Sequence, residues 1–291
     1  MSRILIAGCG YVGTATGALF HAAGWEVEGW TASAPSAREL PTRPFPVRPV
    51  DLTDQKAVTA AVAPFDVVVH CASSRGGSTD AYRGIYLEGA RHLRTTFPAA
   101  RLLFTSSTSV YGQRDGEWVT ERSPAQPERP TADLLREAEE LVLQGGGVVV
   151  RLAGIYGPGR SAMLRKFLAG TATIDPGPER WINQVHRDDI ADALYLLAQR
   201  APDGGGPNER IFNVTDNHPL TQRACYEWLA ARLQRPIPPV AAAASERRRG
   251  NSNKRVSSAR LLSLGWSPRY PTFQSAMADS ILPDWPFDPV W

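Results

Sequence analysis

Apolar positions along the chain change period as it proceeds, and the two periods alternate. Short, nearly continuous apolar runs at 4–7, 65–70, 101–106 and 147–152 have the length of strands, and their lack of alternation suits strands covered on both faces. Segments at 11–23, 54–62, 80–97 and 132–143 carry the wider spacing of helices. A second strand is predicted at 25–30. The crossing at 35–49 contains too many prolines for a helix, and 46–50 follows as a third strand. Strands alternating with helices predict an α/β protein, a doubly wound parallel sheet with right-handed crossovers.

Beyond about residue 155 the rhythm loosens. Helices are predicted at 162–169, 188–199, 220–233 and 258–264, with short strands at 183–186 and 211–214. The stretches 204–206 and 241–245 read as flexible connections. The division is therefore a nucleotide-binding domain over 1–155 and a smaller C-terminal substrate lobe over 156–291, some of whose segments return to the sheet. That lobe would cover the carboxyl edge, where an open α/β sheet binds its ligand.

The first strand runs straight into Gly8, Gly10 and Gly13, the G-x-G-x-x-G spacing of a dinucleotide-binding turn. The first glycine permits the tight turn, the second lets backbone approach a pyrophosphate, and the third lets the next helix pack closely on the strand. Tyr11 and Val12 open that helix and aim its N-terminal N–H groups at the phosphates.

Composition narrows the partners. A net charge of +3 on 291 residues gives no reason to expect nucleic acid or an anionic membrane. The run Arg247-Arg248-Arg249 reads as a solvated loop. Cys9, Cys71 and Cys225 form no C-x-x-C pair, and each lies near an apolar segment, as buried reduced thiols do. No metal site is expected. With no signal-like start and no apolar stretch of spanning length, the sequence reads as cytoplasmic.

Phe104-Thr-Ser-Ser-Thr-Ser-Val-Tyr-Gly112 resembles the strand-5 segment of the extended short-chain dehydrogenases/reductases, the NAD-dependent epimerase/dehydratase group. Arg151-Leu-Ala-Gly-Ile-Tyr-Gly-Pro-Gly159 is similar to that family's strand-6 exit, Gln184-Val-His-Arg-Asp-Asp189 to its V-H-x-x-D segment, and Phe212-Asn-Val and Leu264-Gly-Trp to its tail. The resemblance implies a Rossmann NAD(P) domain with a small substrate lobe, often dimeric through two helices of each subunit. It sets Asp51 and Leu52 near the adenine, and His70, Cys71 and Ala72 along the cofactor. Ser107 takes the place of the Ser/Thr that hydrogen-bonds the substrate's reacting oxygen.

The chain departs from the family where the family carries Y-x-x-x-K. Aligned on Glu139, Thr131 falls at the Tyr position and Leu135 at the Lys position. Neither can replace a tuned phenol and its cation. Arg136 could supply the cation only after a one-residue slip, a turn of about 100° around the helix. Tyr82, Tyr86, Tyr111 and Tyr156 are the alternative phenols. At the end of strand 2, where an NAD reader has a carboxylate, stand Thr31, Ala32 and Ser33. Glu28 points along the sheet face, so Thr31, Ser33 and Arg38 could accept a 2′-phosphate, and NADP is preferred over NAD.

Two functions follow. One is an NAD(P)-dependent oxidoreductase or epimerase acting on a small polar, sugar-like molecule. The other is a non-catalytic NADP(H) sensor or scaffold. Arg160, Arg165, Lys166, Arg180, Lys254 and Arg255 are the candidates for an anionic substrate.

Overall fold

A computed structural model describes residues 1–38, 43–74, 76–200, 206–242 and 252–285. Gly204, Gly205, the arginine run at 247–249 and most of 241–245 lie outside the described residues. The first half runs β1 (Arg3–Ala7), α1 (Tyr11–Ala22), β2 (Glu26–Thr31), α2 (Ala34–Arg38), β3 (Val47–Pro49), α3 (Gln55–Ala60), β4 (Val67–His70), α4 (Thr79–Tyr82), a π-helical turn (Arg83–Glu88), α5 (Gly89–Thr96), β5 (Arg101–Ser107), β6 (Trp118–Val119), α6 (Pro130–Gln144) and β7 (Val148–Leu152). The second half adds β8 (Gly154–Tyr156), α7 (Ala162–Leu168), β9 (Trp181–Ile182), β10 (Gln184–His186), α8 (Arg187–Arg200), β11 (Ile211–Val214), β12 (Leu220–Thr221), α9 (Gln222–Leu233), β13 (Arg255–Val256), α10 (Ala259–Ser263) and α11 (Phe273–Ala276).

Seven strands form one parallel sheet in the order β11-β7-β5-β4-β1-β2-β3. The order reverses between β1 and β4, so a crevice opens at their carboxyl ends. Alternate residues of the central strands go to opposite faces. Leu5, Val68, Leu102 and Phe104 join the core beneath α5 and α6, while Ile4, Ile6, Val67, Val69 and Leu103 join the core beneath α1 and α8. Both faces are covered, which is why the strand runs read as unbroken apolar stretches. On the α1 side, Phe20 meets Trp25 and Tyr195 of α8 edge-on at 5.1 and 5.0 Å.

The chain beyond residue 155 first gives α7 to the small lobe, returns to the sheet through α8 and β11, and then completes the lobe. That lobe has its own core of Leu164, Phe167, Tyr226, Leu229, Phe273 and Met277. β13 returns to pair with β6, tying the lobe to the loop after β5.

Local readings need three corrections. The crossing after β2 begins with a short helix, α2, because Pro35 falls in its first turn, where a missing N–H breaks no helical bond. The long helix at 80–97 contains the π-helical turn. Residues 220–221 form β12 ahead of α9 rather than its first turn, with the Thr221 hydroxyl capping that helix by accepting the Ala224 N–H.

Candidate coenzyme cradle and active site

β1 ends against β4, and the glycine turn is shaped by that contact. Gly8 has φ +106°, and a Cβ added there would lie 2.1 Å from the Ala72 backbone nitrogen. A Cβ on Gly13 would lie 2.3 Å from the Gly8 carbonyl oxygen. The protein itself therefore requires these two glycines. Gly10 differs: a Cβ there would meet no atom within 4 Å. Nothing among the described residues explains its missing side chain, yet it borders the N-terminus of α1. That helix has no side-chain cap and no acidic residue in its first turn. Its first N–H groups, on Tyr11, Val12 and Gly13, find no acceptor among the described residues. An open cradle over uncapped N–H groups fits a dinucleotide pyrophosphate.

Tyr11 fastens this turn to the far side of the crevice. Its hydroxyl donates to the Pro158 carbonyl at 3.0 Å, and the guanidinium groups of Arg160 and Arg187 lie 5.1 and 5.0 Å from its ring centre. Burial pushes its phenol up to about 12 against these two charges.

Among the described residues no carboxylate faces the crevice at the end of β2. Glu28 accepts from the Trp30 indole at 2.7 Å and from Arg48 at 3.2 Å, which holds it on the sheet. The Thr31 hydroxyl donates to the Ser33 carbonyl at 3.2 Å, so Thr31 shapes the turn rather than offering its proton outward. Ser33 accepts from the Ser36 N–H and donates to the Ser36 hydroxyl. Arg38 is exposed. Asp51 is exposed and closes a turn with Thr53, while Leu52 belongs to the core.

Beyond β4, Cys71 and Ala72 are half-buried at the crevice wall, so Cys71 is more open than Cys9 and Cys225. His70 does not line the cofactor side. It is fully buried, and its Nε2 pairs with the Ile85 carbonyl at 2.9 Å, holding the π-helical turn. Burial lowers it to about 4, so the ring is neutral and this nitrogen donates.

Ser107, the last residue of β5, is half-buried, its oxygen accepting the Ser109 N–H at 3.1 Å and its proton finding no acceptor among the described residues. Beneath it lies a polar network that the sequence did not reveal. Glu139 of α6 accepts from Ser106 at 2.6 Å and from two nitrogens of Arg151 at 2.9 and 2.6 Å. Arg151 also donates to the Tyr111 hydroxyl at 2.8 Å, which donates to Asn213 at 3.0 Å. The one signal for this network was the sequence position of Glu139, which reads equally well as a helix-surface charge.

Of the four alternative phenols, Tyr111 is locked in this network. Tyr156 is 2% exposed, with a hydroxyl that has no partner among the described residues. Tyr82 and Tyr86 remain, half-buried along the helical run that packs on α6. The Tyr86 hydroxyl lies 3.3 Å from Ser73, and burial raises its phenol, keeping it protonated. On α6, Thr131 is half-buried and Leu135 is sealed in the core. Arg136 pairs with Glu139 and Glu140, and it faces a separate surface cavity of about 460 Å³ with Glu121.

Among the basic candidates, Arg165 and Lys166 are exposed on α7. Lys254 is the exception, 6% exposed, donating to the Tyr111 carbonyl at 2.8 Å and to Ser252 at 3.0 Å. Its ammonium braces the loop that follows Ser107, and burial lowers its pKa to about 8.

A parallel sheet reversing at β1 and β4, a glycine turn against that reversal and a serine at the end of β5 define a class. Residues 4–215 match the NAD dependent epimerase/dehydratase family, and the chain belongs to it. Among its relatives, Protein YeeZ of Escherichia coli (strain K12) is 31% identical over 225 residues, covering 74% of this chain and 77% of that one. A solved structure from Methylobacillus flagellatus, provisionally named an NAD-dependent epimerase/dehydratase, is 31% identical, with a TM-score of 0.75 over 94% of this chain and 96% of that one. The UDP-glucose 4-epimerase of Thermus thermophilus, solved in complex with NAD, has a TM-score of 0.79 at 24% identity, over 94% and 96% of the two chains. That likeness is one of fold. No helix among the described residues is long and apolar enough to cross a membrane.

Proposed function

We propose that the chain binds one NAD(P) molecule, NADP in preference to NAD, and moves hydride to or from a carbinol carbon of a small polar, sugar-like substrate. The observation that carries this is Gly10: its missing side chain has no explanation among the described residues and leaves the approach to the uncapped end of α1 open. The family supports the chemistry. The absence, among the described residues, of a carboxylate facing the crevice at the end of β2 supports the 2′-phosphate.

The nicotinamide, when bound, supplies or accepts the hydride. The chain's own residues do the rest. Ser107 donates its remaining proton as a hydrogen bond to the reacting oxygen. Tyr86, protonated at neutral pH, is the phenol at hand for proton transfer, in place of the Tyr and Lys that the resemblance leads one to seek at Thr131 and Leu135. One observation favours the rival reading, a coenzyme-binding sensor: Leu135 is packed into the core, and no cation takes its place among the described residues.

Titration calorimetry tests the coenzyme step. Wild type should bind one dinucleotide per chain, and a folded Gly10→Val variant should lose that binding because its side chain projects into the cradle. Equal affinity in the two proteins overturns the reading. Tight coenzyme binding without turnover on any of a panel of small carbonyl compounds and nucleotide sugars favours the sensor.

A further inference from the structure

The cavity that Arg136 and Glu121 line lies between the segment 121–125, α6 and the segment leading into β11, and its volume is about 460 Å³. No residue of the glycine turn or of the end of β4 borders it. One of its walls is a buried carboxylate. Glu121 is 8% exposed, its Oε1 accepts the Asn213 N–H at 2.9 Å, and it forms no ion pair among the described residues. The two guanidinium groups beside it on the cavity wall are directed elsewhere. Arg151 donates to Glu139 and Tyr111, and Arg136 pairs with Glu139 and Glu140.

A carboxylate taken nine-tenths out of water without a counter-ion carries a desolvation penalty, which a cationic partner offsets. An ammonium group brings that charge together with three N–H donors, where a neutral hydroxyl compound brings donors alone. The same cavity is also lined by Arg122, whose exposed guanidinium has no partner among the described residues and suits an acid group. The cavity therefore offers one unanswered charge of each sign.

We propose that this cavity is a second binding site, for a small zwitterion of the amino-acid type, with the ammonium on Glu121 and the acid group on Arg122. The site is independent of the coenzyme cradle. The full chain, as wild type, Glu121→Gln and Arg122→Ala, is melted in the presence of each common L-amino acid in turn, and of glycerol at the same concentration. A compound that binds the folded chain alone raises the melting temperature, and calorimetry then gives its affinity. Glu121→Gln keeps an oxygen for the Asn213 N–H and removes the charge, while Arg122 is exposed and can be replaced without disturbing the core. At least one amino acid should stabilise wild type, and glycerol should not. Glu121→Gln should weaken that amino acid by roughly 10- to 100-fold, the worth of a hydrogen bond to a charged group. Arg122→Ala, which removes an exposed ion pair, should weaken it by about two- to fivefold. Stabilisation of wild type by no amino acid, unchanged affinity in either variant, or equal stabilisation by glycerol overturns the site.

Discussion

Replacing Glu139 by alanine should be among the most damaging single changes in the sheet domain. Glu139 is 0% exposed and Arg151 is 1% exposed, and the carboxylate takes two of the guanidinium nitrogens and the Ser106 hydroxyl. Its removal leaves the guanidinium deep in the core, with the Tyr111 oxygen as its remaining partner. Breaking a buried ion pair by deleting one member costs about 3–5 kcal/mol, because the other charge stays desolvated. Deleting both charges is a different perturbation. In Glu139→Leu with Arg151→Met, an apolar pair of similar volume takes their place, which is often neutral. The Ser106 and Tyr111 hydroxyls and the half-buried Arg136 still lose a partner each, so the double variant should lose about 2 kcal/mol, less than either single change. Urea unfolding followed by tryptophan fluorescence measures wild type, Glu139→Leu, Arg151→Met and the double variant, with the slope against denaturant held as a check on the unfolded state. A double variant as unstable as the two single losses added together would show that the residues act independently and would refute the reasoning.

Burial raises Asp216 to about 7 and Asp189 to about 6, so between about pH 4 and pH 7 the folded chain retains protons that the unfolded chain has released, and their contribution to stability falls as pH rises through that window. His186 and His70, lowered to about 4 by burial, act in the opposite sense, so the test is the difference between wild type and Asp216→Asn: the variant should gain relative to wild type up to about pH 7, and a difference constant with pH contradicts this. For turnover, NADPH oxidation on a carbonyl panel should fall by about 100-fold in Ser107→Ala and stay within about twofold in Thr131→Val, and the reverse pattern would exchange their roles.

Much of the sheet was legible because its signal is local. Period, strand length and the glycine turn are properties of neighbouring residues, and they locate β1, β4, β5 and β7 with the helices between them. The Leu5/Ile6 and Val68/Val69 alternation between two cores explains why those strands looked featureless rather than two-faced. The two-residue strands β6, β9, β12 and β13 were not legible. Each exists through a partner distant in sequence, as when Arg255 and Val256 pair with Trp118 and Val119. The π-helical turn was hidden for the same reason, since the His70 bond to the Ile85 carbonyl joins residues on different elements.

The site divides along the same line. Gly8, Gly10 and Gly13 could be read by spacing, yet their distinct roles come from what stands opposite each: Ala72 for the first, the Gly8 carbonyl for the third, open space for the second. The basic residues show the converse. Six candidates for an anionic substrate look alike in sequence, and burial separates Lys254 from the others by enclosing it under Tyr111. That placement joins two systems that the sequence keeps far apart. The Tyr111 hydroxyl belongs to the Glu139–Arg151 network under the sheet edge, while its carbonyl is held by a lysine delivered from the small lobe. The loop that follows Ser107 is therefore clamped from below by the sheet domain and from above by the lobe. Its geometry depends on the two being assembled together, and a folded first half alone would not reproduce it.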